Sequence, residues 1–108
     1  MIGIFGNETA EKVLLFIQNY GSGYSREIAR TFDVPQSMVY KQLIRLEQEY
    51  VLVNRQVGAA RVFEFNPRYA FRKELAALLQ RAIDLTPATD KERWFMQRRR
   101  PRRVGKPL

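Results

Sequence analysis

The side chains that can do chemistry in this chain are mostly amides, hydroxyls and cations, because the usual catalytic residues are missing. The sequence contains no histidine and no cysteine, which removes the commonest general base and the thiolate nucleophile. Imidazole and thiolate ligands are absent for the same reason, so a zinc or other soft-metal site is not expected. The carboxylates form no close-set pair in an apolar setting. We therefore expect no enzymatic activity, no cofactor and no metal.

Five polar side chains that can hydrogen-bond to another molecule are clustered in the middle of the chain. They are Gln36, Ser37, Tyr40, Lys41 and Arg45. In the same segment, Val39, Leu43 and Leu46 are spaced four and three residues apart, as on the buried face of a helix. The polar side chains then fall on the other faces of that helix. The segment predicts an amphipathic helix with an exposed face of amide, hydroxyl and cationic groups.

Two helices are predicted before this one. The first begins after a cap at Asn7 or Thr9, whose side chains can accept from an unpaired backbone N–H group, and it ends near Gly21. The second is short, begins at a Ser25 cap and ends at residues 33–35, because a residue that precedes proline avoids the helical region. Pro35 then suits the start of the polar helix.

The second half of the chain predicts a hairpin and two further helices. Strands are expected over residues 51–55 and 61–65, joined by a loop of medium length that contains Gly58. A long helix is expected over residues 68–85. Thr89 and Glu92 match a capping box, which predicts a short helix over residues 90–99. We expect Trp94 and Phe95 on that helix to dock on the body or on a second copy of the chain.

This order of elements and two of its segments resemble a known family. Residues 25–47, SREIARTFDVPQSMVYKQLIRLE, resemble the helix-turn-helix of ArsR-like repressors and, as a second choice, of MarR-like repressors. Residues 57–69, VGAARVFEFNPRY, resemble the wing of the ArsR-like group. The resemblance covers about residues 8–85. It implies a mainly α fold with a small β-hairpin (α+β), namely a winged helix-turn-helix with a long C-terminal helix, and a cytoplasmic, nucleoid-associated transcriptional regulator.

The resemblance also implies roles for the polar residues. The third helix would enter the major groove of double-stranded DNA, with Gln36, Ser37, Tyr40 and Lys41 near base edges and Arg45 near phosphate. Ser25, Arg26 and Arg30 on the preceding helix would contact the DNA backbone. Arg55 and Arg61 on the wing strands would contact phosphate or the minor groove, or else serve only as cross-strand charges. An exposed face of this kind also fits a rival function, a winged-helix module that binds protein or RNA.

Two departures from the family pattern limit what carries over. Tyr50 stands where the family usually has glycine after the third helix, so we do not expect a left-handed residue there. Ala59 and Ala60 leave the wing tip without the arginines that are usual in the family. Metal or thiol sensing does not carry over either, because the chain lacks both cysteine and histidine.

The net charge of +8 is unevenly distributed along the chain. Residues 1–85 hold 11 Lys and Arg against 9 Asp and Glu, whereas residues 86–108 hold 8 against 2. We therefore divide the chain into a binding domain, residues 1–85, and a basic tail, residues 86–108. Two roles for the arginine-rich end stay open: attraction of phosphate groups, or solubility alone.

The long last helix of the domain carries more apolar residues than a small core needs. They are Phe71, Leu75, Leu78, Leu79, Ala82 and Ile83. This surplus predicts a homodimer contact, which would also place two third helices about one duplex turn apart. Tyr24 and Phe63 are expected in core or dimer packing rather than stacked on a base. No apolar run reaches the length of a membrane span, so no membrane association is expected.

Overall fold

Helices and one antiparallel hairpin alternate along residues 2–97, the part of the chain that the computed structural model describes. The elements are α1 Glu8–Tyr20, α2 Ser25–Phe32, α3 Gln36–Gln48, β1 Leu52–Val57, β2 Ala60–Phe65, α4 Arg72–Asp84 and α5 Ala88–Phe95. The expected α+β class is confirmed. No helix in this range is long and apolar enough to cross a bilayer.

Helix α1 lies at the centre of the core and packs against α2, α3, α4, α5 and β2. Its residues Val13 and Ile17 are completely buried, as are Leu43 of α3 and Phe63 of β2. The helix begins where the sequence predicts, because the Asn7 side-chain oxygen accepts from the Ala10 amide at 2.9 Å. It ends at Gly21, which has the expected positive φ of +90°.

The start of α2 and the residue after α3 both differ from expectation. Tyr24, not Ser25, is the N-cap of α2, and its side chain makes no capping hydrogen bond, so Ser25 is the first helical residue. Tyr50 adopts φ +63°, so our expectation that tyrosine would exclude a left-handed residue there was wrong. Two backbone bonds hold this conformation: the amides of Tyr50 and Val51 donate to carbonyls of the last turn of α3.

The hairpin is tighter than predicted. Val57 pairs with Ala60, so the loop is the two residues Gly58 and Ala59 rather than a loop of medium length. Gly58 has φ +59°, the sign that a type II′ turn requires at its first central position. Gly23, between α1 and α2, forms an antiparallel bridge with Phe63 and so adds a third backbone segment beside β2. The bridge ties the connection between α1 and α2 to the hairpin.

Helix α4 begins at Arg72, four residues later than predicted. A local turn replaces its first helical turn, because the Asn66 side-chain oxygen accepts from the Arg68 amide at 3.0 Å. The Asn66 carbonyl also accepts from the Tyr69 amide. An asparagine that bonds nearby backbone groups in this way competes with helix formation.

Helix α5 does not use the predicted capping box. It begins at Ala88 after the N-cap Pro87, without a side-chain cap, which places Thr89 inside the first turn instead of at the cap. It ends at Phe95, not at residue 99, and residues 98 and 99 lie outside the described range. A proline just before the helix has a φ already near the helical value, which explains the earlier start.

Helix α5 is docked on the body of the same chain, which answers the question left open by the sequence. The Tyr20 hydroxyl donates to the Trp94 carbonyl at 2.6 Å, and the Asn19 amide donates to the Phe95 carbonyl at 2.8 Å. These bonds satisfy carbonyls that a helix end otherwise leaves unpaired. The Trp94 ring packs 5.3 Å from the ring of Phe32 on α2. The division after residue 85 therefore does not separate two packing units.

Candidate nucleic-acid interface

The polar face of α3 is exposed as the sequence predicts. Val39, Leu43 and Leu46 hold the opposite face in the core. The side chains left exposed are Gln36, Ser37, Tyr40, Lys41 and Arg45. Helix packing therefore turns amide, hydroxyl and guanidinium groups outward on an element of regular geometry.

The N-termini of α2 and α3 are joined at the surface. The Gln36 side-chain nitrogen donates to the Ser25 hydroxyl oxygen at 3.0 Å. Between the two helices, Asp33 takes a left-handed conformation with φ +55°, which lets the chain turn sharply before Pro35. Ser25 thus orients the Gln36 amide at the first exposed turn of α3.

The exposed face of α3 is positively charged overall. Lys41 and Arg45 are both exposed, and the Arg45 Nε atom donates to Gln42 within the helix at 2.9 Å. Glu47 is the one carboxylate in α3, and it accepts a hydrogen bond from the Asn54 side chain on β1. That bond joins the carboxylate to the hairpin.

Helix α2, which packs against α3, carries two exposed cations. Arg26 and Arg30 are four residues apart, so they lie on the same side of the helix, and both are exposed. Neither forms an ion pair with another residue in the range 2–97. Both guanidinium groups are therefore available to an anion.

The structure does not bring Arg55 and Arg61 to the same side of the hairpin. Arg55 pairs opposite Val62, whereas Arg61 pairs opposite Gln56, and neighbouring residues of a strand point to opposite faces. Arg55 forms an ion pair with Glu64, with Nε and Oε1 2.9 Å apart. This bond favours the cross-strand role for Arg55. Arg61 shares its face with Asn54, the residue that contacts α3, and makes no ion pair in the described range.

One exposed residue of α3 was missed by the sequence analysis. Met38 lies in the first turn, between Ser37 and Tyr40, and 48% of its surface is exposed. Its apolar side chain is of the kind that contacts a thymine methyl group in the major groove. The available signal was its position off the buried stripe of Val39, Leu43 and Leu46.

The residues predicted for a dimer contact separate into two groups. Leu79 and Ile83 are 0% and 4% exposed and belong to the core of the single chain, so their assignment to a dimer surface was wrong. Phe71 and Leu78 are exposed, and Leu75 and Ala82 are half-buried. Phe63 is fully buried, as expected for a core residue. The rest of the chain therefore buries one apolar line of α4, Leu79 and Ile83, and leaves the second line partly exposed to solvent.

Comparison with known proteins adds no assignment: no family model, curated protein or solved structure matches this chain. Within residues 2–97, no group of three or more acidic side chains is placed to hold a metal ion.

Proposed function

We propose that this protein is a winged helix-turn-helix transcriptional regulator, a repressor that binds double-stranded DNA in the cytoplasm without cofactor, metal or catalytic activity. The observation that carries the proposal is the exposed, cationic polar face of α3, held by α2 on one side and by the hairpin on the other. A protruding helix of this width fits the major groove of B-DNA. The Gly23–Phe63 bridge supports the same proposal, because it fixes the hairpin beside the two helices.

The first turns of α3 supply the sequence-reading contacts. The Gln36 amide can pair with adenine in a bidentate manner, and Lys41 can donate to the acceptors of guanine. Ser37 and Tyr40 lie between them and can donate to or accept from base edges. Because Ser25 holds the Gln36 amide at 3.0 Å, the amide is oriented before DNA arrives. Less conformational entropy is then lost on binding.

The surrounding cations position the protein on the DNA backbone. Arg26 and Arg30 lie on α2, Arg45 lies on the second half of α3, and Arg61 lies on the hairpin. Phosphate contacts of this type set register and orientation without reading sequence. They also make affinity depend on salt.

Gln97, the last described residue, is held against the body of the chain, because its backbone amide donates to the Tyr20 hydroxyl at 3.1 Å. Its side chain also bonds the Thr31 hydroxyl at 3.2 Å, next to Arg30 on α2. Residues 98–108 carry six Lys and Arg and no acidic residue. We assign to them general phosphate attraction rather than sequence reading.

Selection of duplexes from a random pool tests the proposal. The full-length chain is equilibrated with the pool at fixed salt, and the affinities of selected and scrambled duplexes are then compared. We expect an enriched sequence bound at least about 1,000-fold more tightly than its scrambled form. Binding without any enriched sequence would contradict a regulator and favour the module that binds protein or RNA.

A further inference from the structure

Aromatic and cationic side chains alternate in the segment that connects β2 with the first turn of α4. Residues 66–73 read NPRYAFRK, with three cations and no carboxylate. Arg68, Arg72 and Lys73 are all exposed, and none of them forms an ion pair within residues 2–97. Three positive charges are therefore presented to solvent without a neutralising partner on the described part of the chain.

The cations at the start of α4 do not serve the stability of that helix. Arg72 and Lys73 occupy its first turn, where the helix dipole favours negative charge and disfavours cations. Glu74 is the one acidic residue of this turn. Residues that break a local folding rule are expected at functional surfaces. The two cations therefore indicate an anionic partner.

Two strongly exposed aromatic residues belong to the same surface. Phe71 is 63% exposed, and its ring meets the ring of Tyr69 edge to face, with the centroids 5.7 Å apart. Tyr50, between α3 and β1, is 74% exposed, and its carbonyl accepts from the Asn66 side chain at 2.9 Å. That bond places Tyr50 beside the start of residues 66–73. The members of this aromatic–cationic patch are Tyr50, Arg68, Phe71, Arg72 and Lys73.

The aromatic–cationic patch is separate from the part of α3 to which the proposed base contacts belong. Helix α3 rises about 18 Å from Gln36 to Gln48, and Tyr50 follows its C-terminal end. Strand β2 likewise carries the chain about 17 Å from the hairpin turn to Phe65, next to Asn66. The patch therefore lies at the ends of α3 and of the hairpin that are opposite to Gln36 and to the turn.

A nucleic acid with unpaired bases is the partner that uses both kinds of side chain in the patch. Its phosphate groups neutralise cations, and the flat face of a base stacks on an exposed aromatic ring. In a duplex the base faces are covered by neighbouring bases, so a ring reaches them only after a base is extruded. An acidic peptide supplies carboxylates for the cations but no flat face for Tyr50 and Phe71.

We propose that the aromatic–cationic patch binds single-stranded nucleic acid, with bases stacked on Phe71 and Tyr50. Arg68, Arg72 and Lys73 pair with the phosphates of the strand. The site differs from the α3 face in its position and in its ligand. It reads no sequence, because every base has a flat face. The inference does not depend on the proposed function, since the two surfaces share no residue.

Binding of an oligothymidine tests the proposal, because this strand does not fold on itself by base pairing. The probe is a fluorescently labelled oligothymidine of about 12 nucleotides, and anisotropy measures its affinity for the full-length chain. We expect F71A/R72A to weaken binding by about 10-fold or more. The matched control R81A/L85A removes one exposed cation and one exposed apolar side chain at the opposite end of α4, and it should bind like the wild type. An equal loss in both double variants would overturn the proposal.

A strand without bases separates stacking from charge. An abasic oligonucleotide of the same length keeps every phosphate and offers no ring for stacking. We expect the wild type to bind it about 10-fold or more weakly than oligothymidine, and F71A alone to leave its affinity unchanged. Phe71→Trp keeps an aromatic ring and should retain the binding of oligothymidine. Equal affinities of the wild type for the two strands would contradict stacking and overturn the proposal.

Crossed measurements distinguish this site from the α3 face. Q36A/K41A should bind oligothymidine like the wild type, and F71A/R72A should keep the wild-type preference for a selected duplex over its scrambled form. All these variants contain residues 98–108, so any general attraction from that segment is common to them. Loss of oligothymidine binding in Q36A/K41A, or displacement of the oligothymidine by a poly-glutamate peptide at equal charge concentration, would overturn the inference and leave the proposed function standing.

Discussion

Gly23 lies at a point where three parts of the fold meet without room for a side chain. A Cβ atom there would come within 2.7 Å of the Phe16 ring and 3.2 Å of Ile28. The closeness follows from the paired backbone hydrogen bonds with Phe63, of 2.8 and 3.0 Å. Glycine is therefore required at this position by packing rather than by a positive φ.

We expect Gly23→Ala to lower the free energy of unfolding by about 1–3 kcal/mol, the usual cost of overpacking a core. Chemical denaturation measures the change. The ring of Phe16 is the main obstacle, so the same substitution should cost less in a Phe16→Leu background. Equal costs in both backgrounds would show that the ring is not what excludes the methyl group.

Tyr50 differs from Gly23, because its strain lies in the backbone and not in packing. It has a positive φ, whereas the residue is 74% exposed. Tyr50→Gly should raise the free energy of unfolding by about 0.5–1 kcal/mol, because glycine adopts positive φ without the Cβ penalty. Tyr50→Ala is the matched control, since it removes the same side chain and keeps the strain. A gain from alanine equal to that from glycine would assign the effect to the side chain instead.

At the scale of elements, α5 shows what a single segment adds to the body. It brings Phe95 into the core and satisfies its own terminal carbonyls with Asn19 and Tyr20. A chain that ends at Pro87 should lose roughly 2–4 kcal/mol of stability relative to one that ends at Gln97, because an aromatic anchor and its contacts are removed. Thermal or chemical unfolding compares the two, and equal stability would contradict the docking of α5.

Helices α1 and α3 were predictable from the sequence because their signals are local. Val39, Leu43 and Leu46 follow the helical period, and Asn7 forms its cap with a residue three positions away. The docking of α5 was not predictable, since its partners Asn19 and Tyr20 lie more than 70 residues away along the chain. The burial of Leu79 and Ile83 depends on how the whole body closes, which no single window of sequence contains.

Only part of the candidate site could likewise be predicted from the sequence. The exposed residues of α3 follow from the position of its buried stripe. By contrast, the bond from Gln36 to Ser25 and the bond from Asn54 to Glu47 depend on how three elements meet. The separation of Arg55 from Arg61 depends on strand register, which the tight turn at Gly58 sets.

At the scale of the whole molecule, we assign the positive charge to two roles. The cations of α2, α3 and the hairpin serve sequence-specific binding, and those of residues 98–108 serve general phosphate attraction. Removal of residues 98–108 takes away six cations. The slope of log affinity against log salt should become shallower by about 0.9 for each cation that contacts phosphate. Titrations at several salt concentrations measure this slope. An unchanged slope would contradict the phosphate role of the tail.

If α3 reads base sequence, the side chains of Gln36 and Lys41 should set the affinity ratio between a selected duplex and its scrambled form. The most direct test measures this ratio for Gln36→Ala/Lys41→Ala. The matched control is Lys73→Ala/Gln80→Ala, which removes one cation and one amide from exposed positions of α4. We predict that the α3 variant loses about 30-fold or more of the ratio, since each of the two base contacts is worth about 1–3 kcal/mol, whereas the control retains it. An α3 variant with the wild-type ratio would contradict the proposal.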